Sequence, residues 1–179
     1  MVKAVFLDRD GTLNFDPGYL SDHTQFELFD GAGQALRLLS DRDFHLFLVT
    51  NQSGIARGKI TWPELTLIHQ KLKELLGQHC VEIKEFLICP HLPEDKCACR
   101  KPSPKLILEA AHKYGLDMSQ SIMIGDSLSD LLAGQNAGCG RVCLVRTGKG
   151  SKTEKNLSGV EPDFIGDSLV EVVNWICDH

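Results

Sequence analysis

Five brief, almost unbroken apolar runs are spaced along the chain: Val2 to Leu7, His45 to Val49, Glu85 to Ile88, Ser121 to Ile124 and Arg141 to Val145. Each is short and rich in Val, Ile, Leu or Phe, the signature of a strand covered on both faces. Between them lie stretches of helical period. Ala32, Ala35, Leu36 and Leu39 share one face, as do Leu65, Ile68, Leu72 and Leu75, and then Leu106, Ile107, Ala110, Ala111 and Tyr114. This alternation predicts an α/β fold, a Rossmann-like parallel sheet with helices on both faces and right-handed crossovers. Helix boundaries are written locally. Thr61-Trp62-Pro63-Glu64 has the spacing of a capping box, and Ser168 to Glu171 repeats it before Val172, Val173 and Ile176. Ser103-Pro104 offers a cap followed by proline at the first helical position. Gly138 offers a left-handed stop after Leu128, Leu131 and Leu132. Residues 148–163 are polar and are expected to form a surface loop. With no repeat or linker in sight, residues 1–179 are read as a single domain.

Composition narrows the function classes. Nineteen basic residues stand against twenty-four acidic ones, a net charge of −5 with no basic run. That argues against a nucleic-acid partner and requires any anionic substrate to find a local positive site. No apolar stretch approaches the roughly 18 residues of a membrane span, and the first apolar run meets Asp8 too soon for a signal-peptide core. A cytoplasmic protein is expected. Of seven cysteines, Cys89, Cys97 and Cys99 crowd one segment. An odd total with one tight cluster points to metal ligation rather than a disulfide framework in a reducing compartment. Cys80, Cys139, Cys143 and Cys177 are expected to be small buried hydrophobes.

In parallel sheets the ligand site lies past the carboxyl ends of the strands. The first run leads into Asp8-Arg9-Asp10-Gly11-Thr12. Two carboxylates there are costly to desolvate without a cation, and magnesium prefers a few carboxylates plus water and phosphate. One acid can then attack phosphorus while the other moves a proton; a solvated turn around Gly11 is the plain alternative. The second run ends in Thr50-Asn51-Gln52-Ser53-Gly54, rich in donors for a phosphate, or else an ordinary polar turn. Arg100-Lys101-Pro102 supplies two cations for phosphate oxygens. The fourth ends in Gly125-Asp126-Ser127-Leu128-Ser129-Asp130. There Asp126 either completes a metal site or caps a helix, and Asp130, a turn further on, is expected to orient the loop.

Taken in order, Asp8-x-Asp10-Gly11-Thr12, Thr50, Lys101 and Gly125-Asp126-x3-Asp130 resemble the four motifs of the haloacid dehalogenase superfamily. The resemblance implies a phosphatase working through an aspartyl-phosphate. Asp8 is then the nucleophile and Asp10 the general acid, later the base. Thr50 and Lys101 hold the transferring phosphoryl group, and Mg2+ is bound by Asp8, Asp126 and the backbone carbonyl of Asp10. The intervals between motifs leave no room for a large cap domain, so specificity falls to loops.

Cys89, His91, Cys97 and Cys99 are a donor set suited to structural, tetrahedral Zn2+. Such a site would brace the loop and position Arg100 and Lys101. A redox pair at Cys97 and Cys99, or simply reduced thiols, also fits the residues. Standing just before Arg100-Lys101-Pro102, the cluster resembles the zinc-bearing branch that contains heptose-bisphosphate phosphatases and histidinol-phosphatases. Thr50 to Gly58, Asp16 to Tyr19 and Arg146 to Gly150 resemble the heptose-bisphosphate members. That implies release of the 7-phosphate of a heptose 1,7-bisphosphate, with histidinol-phosphate hydrolysis as the alternative. It also implies substrate contacts from Asp16, Pro17, Gly18, Tyr19, Thr50, Asn51, Gln52 and Ser53, with Arg100 on the retained phosphate and Lys101 on the transferring one. Ser127 departs from the pattern, standing where some relatives have lysine. The expected partner is a small phosphorylated sugar, with no nucleic acid and no membrane, and a monomer suffices.

Overall fold

A computed structural model describes residues 2–16 and 18–179. Pro17, expected against substrate, lies outside the described residues. Six strands form one parallel sheet: β1 (Lys3–Leu7), β2 (Phe44–Asn51), β3 (Ile83–Cys89), β4 (Ile122–Gly125), β5 (Arg141–Val145) and β6 (Phe164–Gly166), in the order β3-β2-β1-β4-β5-β6. The helices are α1 (Ala32–Ser40), α2 (Ser53–Ala56), α3 (Trp62–Gly77), α4 (Lys105–Tyr114), α5 (Leu128–Asn136), α6 (Gly150–Thr153) and α7 (Leu169–Asp178). None is long and apolar enough to cross a membrane.

Two cores flank the sheet, and the period of two explains why the strands read as unbroken apolar runs. On one face Val5, Leu7, Leu46, Leu48, Ile122 and Ile124 pack with residues of α1, α3 and α7, among them Leu36, Leu65, Ile68 and Val172. On the other, Ala4, Phe6, Phe47, Val49, Met123 and Leu144 meet Ile107 and Ala110 of α4 and Leu131 of α5. There Phe6 and Phe47 stack with ring centroids 5.3 Å apart.

The connectivity builds the crevice. Chain order runs outward from β1 through β2 to β3, then returns to β4 on its other side. Leu7 is level with Leu48 and with Ile124, so the three strand ends open at one edge. The loops after β1 and β4 diverge there, as at the switch point of any doubly wound sheet.

Local signals largely match their expected places. Thr61 and Glu64 form the reciprocal box at the start of α3. Gly138 has φ +78 just past α5. The Ser103 hydroxyl accepts from the Lys105 amide, but α4 begins one residue later than expected, with Pro104 in the cap position rather than at the first helical one. Ser168 caps α7 through Glu171 N, but the Glu171 carboxylate takes the Asp167 amide, one residue earlier than the box requires. Three expectations are corrected. β6 was not anticipated, because two apolar residues make no readable run and pairing with β5 defines it. Residues 148–163 are not a plain loop: they hold α6, a 3-10 turn at Glu154–Asn156 and buried Val160. Arg146 pins this segment with paired bonds to Glu154, at 2.7 and 2.8 Å, and one to Asp167. Cys80 is exposed in the turn after α3, while Cys143 is buried and Cys139 and Cys177 are half-buried.

Candidate active site

Asp8 follows β1 directly, and its amide still donates to Ile124 O at 3.0 Å, so the strand ladder fixes where its carboxylate emerges. Lys101 reaches the same point from the loop before α4. Its Nζ lies 2.6 Å from Asp8 Oδ1, 2.6 Å from Asp130 Oδ1 and 2.6 Å from the Val49 carbonyl. Asn51 holds the Lys101 backbone at both ends: Lys101 N donates to Asn51 Oδ1 at 3.1 Å, and Asn51 Nδ2 donates to Lys101 O at 3.2 Å. Expected to touch substrate, Asn51 spends its amide on positioning the lysine, although it also lines the cleft.

Asp126 follows β4 directly but caps no helix. Ser127 occupies the cap, with its amide and hydroxyl donating to Asp130 Oδ2 at 2.9 and 2.6 Å. Asp130 thus orients the loop, as expected, and also grips Lys101, which was not. The Asp126 Oδ2 accepts from Lys149 N at 2.7 Å. Gly11 (φ +88) and Gly148 (φ +56) meet beside this carboxylate, and a Cβ on either would collide with it. Both positions therefore require glycine.

Asp8, Asp126 and Asp130 are buried, each with a carboxylate oxygen within 4.8 Å of the others. Burial, with Asp130 and Asp126 adding repulsion against the pull of Lys101, pushes Asp8 up to about 8. Burial raises Asp126 to about 6. Burial would lower Lys101, but Asp130 and Asp8 outweigh it and hold the ammonium above its usual range. Three carboxylates around one ammonium leave the site short of positive charge, which fits a divalent, oxygen-loving cation. Asp130 has both oxygens engaged, by Lys101 and by Ser127, whereas among the described residues Lys101 takes only Oδ1 of Asp8 and Lys149 only Oδ2 of Asp126, so these two each keep an oxygen to hold it.

Asp10 has the opposite electrostatics. Arg9 donates to its two oxygens at 3.0 and 2.6 Å, Asn14 to Oδ1 at 3.0 Å and Gln52 to Oδ2 at 2.8 Å. Burial works to raise its pKa, but these four bonds and the Arg9 charge hold it below the usual carboxylate range. The same Gln52 nitrogen also donates to Thr50 Oγ1 at 2.8 Å, tying the strand end of β2 to that of β1.

A cleft of about 470 Å³ opens over these groups. Asp16, Gly18, Tyr19, Ser53, Arg100 and Lys149 are among the residues that line it. Tyr19 is 48% exposed, and Lys149 Nζ comes within 3.9 Å of Asp16 Oδ2. Arg100 donates to the His91 carbonyl at 3.1 Å, so the cysteine-rich loop sets its position. In that loop Cys89, His91, Cys97 and Cys99 converge, with sulfur–sulfur separations of 3.2, 3.6 and 3.7 Å and His91 Nδ1 3.2 Å from Cys99 Sγ. These are far beyond a disulfide bond of about 2.05 Å and close to the edges of a tetrahedron around zinc with bonds of about 2.3 Å. Burial pushes the Cys89 thiol up to about 12, while hydrogen bonds from neighbouring amides and thiols outweigh burial and bring Cys97 to about 7. The donor set and its spacing fit a closed, structural zinc site.

Sequence reasoning passed over Arg9, Asn14 and His69, which form a buried polar network behind Asp10. The one available signal was Arg9 itself, a cation between two acids at the end of a buried strand.

A pair of acids at a parallel-sheet switch point, one bound to a lysine and the other gripped by an arginine, suits a phosphoric monoester hydrolase of the haloacid dehalogenase type, and the relatives of this chain are of that class. The Hydrolase-like (HAD-hydrolase-like) family model matches residues 98–172. The chain is 40% identical over 181 residues to the D-glycero-beta-D-manno-heptose-1,7-bisphosphate 7-phosphatase of Haemophilus ducreyi, covering 97% of this chain and 98% of that one. It is 42% identical over 178 residues to the enzyme of the same name from Escherichia coli K12, covering 96% and 92%. The crystal structure of a D,D-heptose 1,7-bisphosphate phosphatase from B. bronchiseptica, complexed with magnesium and phosphate, superposes with a TM-score of 0.91 at 36% identity and 98% coverage of both chains. The chain belongs to the heptose-1,7-bisphosphate 7-phosphatase family of haloacid dehalogenase-like hydrolases.

Proposed function

We propose that this chain hydrolyses the 7-phosphate of D-glycero-D-manno-heptose 1,7-bisphosphate, yielding heptose 1-phosphate, through a phosphoryl group carried on Asp8. The observation that carries this reading is the identity to relatives named for that activity over nearly the whole of both chains. The residues present suit the chemistry. Mg2+ held by Asp8, Asp126 and the Asp10 carbonyl would offset the charge on the phosphoryl oxygens.

The Asp8 carboxylate attacks phosphorus, the bond from phosphorus to the C7 oxygen breaks, and Asp10 gives that oxygen its proton. Asp10 then takes a proton from water, whose oxygen attacks phosphorus, releasing inorganic phosphate and restoring Asp8. Asp10 rests as a carboxylate beside Arg9, and the charge of an arriving phosphate opposes Arg9 and favours the protonated form that the first step needs. Thr50 and Lys101 hold the transferring group. Arg100 takes the retained phosphate, and Asp16, Gly18, Tyr19 and Ser53 face the sugar. Zinc on Cys89, His91, Cys97 and Cys99 braces the loop that carries Arg100. In this reading the enzyme acts in the cytoplasm as a one-domain monomer, without nucleic acid or membrane, and feeds nucleotide-activated heptose to lipopolysaccharide or surface glycan.

The test is phosphate release, with magnesium, from both anomers of heptose 1,7-bisphosphate and from histidinol phosphate, with Asp8→Asn as control. Efficient turnover of a heptose anomer, abolished in the control, is expected. A kinetic preference for histidinol phosphate would overturn the substrate, and full activity of Asp8→Asn would overturn the covalent route.

A further inference from the structure

We propose that His69 is a positioning residue for proton transfer at Asp10, acting through the Arg9 guanidinium. The proposal rests on the reading of Asp10 as the group that moves the proton. His69 lies 60 positions from Arg9 in sequence, on α3, yet its Nε2 sits 3.2 Å from Arg9 NH1. Arg9 is 1% exposed and His69 8%. The other side of the same guanidinium donates to Asp10 through Nε and NH2. The three groups therefore form a line from helix to carboxylate.

The direction of each bond follows from chemistry. A guanidinium donates only and stays protonated, so the imidazole nitrogen facing it presents its lone pair, and the proton of the neutral ring is on Nδ1. Burial, reinforced by the Arg9 charge, pushes His69 down to about 3, so the ring remains an acceptor at any working pH. The ring cannot turn freely, because it stacks on Phe86 of β3 with centroids 4.5 Å apart. Helix α3 and strand β3 thus fix the imidazole, and the imidazole satisfies the edge of Arg9 that Asp10 leaves unpaired. A planar fork held at both edges sets the plane of the carboxylate it grips. Proton transfer is sensitive to that plane, since misplacement on the order of 1 Å costs about a hundredfold in rate. Asn14 and Gln52 complete the carboxylate's bonds but do not touch the guanidinium's far edge.

The test separates positioning from mere structure by the leaving group. A sugar alkoxide needs a proton as it departs, whereas p-nitrophenolate does not. The kcat/KM value reports the steps up to departure of the first product, so it isolates the donation by Asp10. His69→Leu removes the acceptor at similar volume, and His69→Gln keeps one. Both are compared with wild type and Asp10→Asn on heptose bisphosphate and on p-nitrophenyl phosphate, with thermal midpoints measured alongside. His69→Leu is expected to lose about tenfold in kcat/KM on the sugar substrate, within the range of general acid catalysis, and less than about twofold on the aryl ester. His69→Gln should recover most of that loss. If Asp10→Asn shows the split between substrates but His69→Leu lowers both equally, or neither, His69 does not position Asp10. If Asp10→Asn shows no split, the reading of Asp10 falls first and the proposal falls with it.

Discussion

A carboxylate at the end of a buried strand is tolerable with a proton or with a cation. Asp8 has both options: Lys101 at 2.6 Å, and a pKa pushed up to about 8. Lys101 is itself 4% exposed and shared among Asp8, Asp130 and a backbone carbonyl. Removing it with Lys101→Met would leave Asp8 and Asp130 without their cation, close to Asp126, and unpaired buried charge is strongly destabilising. In the absence of metal, the variant's thermal midpoint should fall below wild type by a margin that widens from pH 6 to pH 9, as the stranded acids are forced to ionise. Its turnover should drop by about 10²- to 10³-fold, as when one preorganised donor is lost. Melts across that pH range and phosphate release would check both; a pH-independent margin would count against the charge argument. Asp8, Asp10, Lys101 and Asp126 were all legible, because each follows a readable strand or precedes a readable helix. His69 was not. A single histidine on the face of an amphipathic helix carries no mark of the arginine it will meet.

At the scale of elements, the loop between β3 and α4 has no apolar core of its own, and among its residues 90–104 none but Lys101 is buried. Cys89 at the end of β3, with His91, Cys97 and Cys99, is the local means of holding it. Arg100 and Lys101 follow immediately, so the cysteine–histidine cluster and the cleft share one short span of backbone. Cys97→Ser is expected to lose bound zinc and lower the thermal midpoint by about 5–10 °C, given the usual coupling of a structural metal to folding. It should also reduce kcat/KM without touching the nucleophile. Zinc stoichiometry and melting would check this; unchanged values for both would remove zinc from the account. Caps and glycine stops were legible here because they act within one turn of chain. β6 was not, since three residues become a strand only by pairing with β5.

Across the whole molecule, the reversal of strand order at β1 brings two acidic strand ends together, and the folded state carries the electrostatic cost. Unfolded, Asp8 and Asp126 lose their protons near pH 3.8; folded without metal, they keep them to about 8 and about 6. Between those values the folded chain binds more protons than the unfolded one, so stability contributed by these groups falls as pH rises. Magnesium held by the ionised pair would reverse that loss. The expected result is a metal-free thermal midpoint that declines from pH 5 to pH 8, and a magnesium-dependent increase that grows over the same window with release of protons. Calorimetry in buffers of different ionisation enthalpy would detect the protons; an increase in midpoint that is flat with pH would contradict the assignment of Asp8 and Asp126 to the metal.

What the amino-acid order determined by itself was whatever depends on near neighbours: the two periodicities, the caps, the strand ends, and the four short motifs that sit at those ends. Even the candidate zinc donors lie within eleven consecutive residues. Only the tertiary structure decided which distant groups share a charge. It gave the Asn51 amide to the Lys101 backbone, where substrate contact was expected, gave Asp130 a second task on Lys101, and set His69 behind Arg9. The physical reason is one of range. Helix and strand signals are read within a few residues, whereas a buried hydrogen bond across fifty or sixty positions exists only once the crossovers have packed both segments against the same sheet.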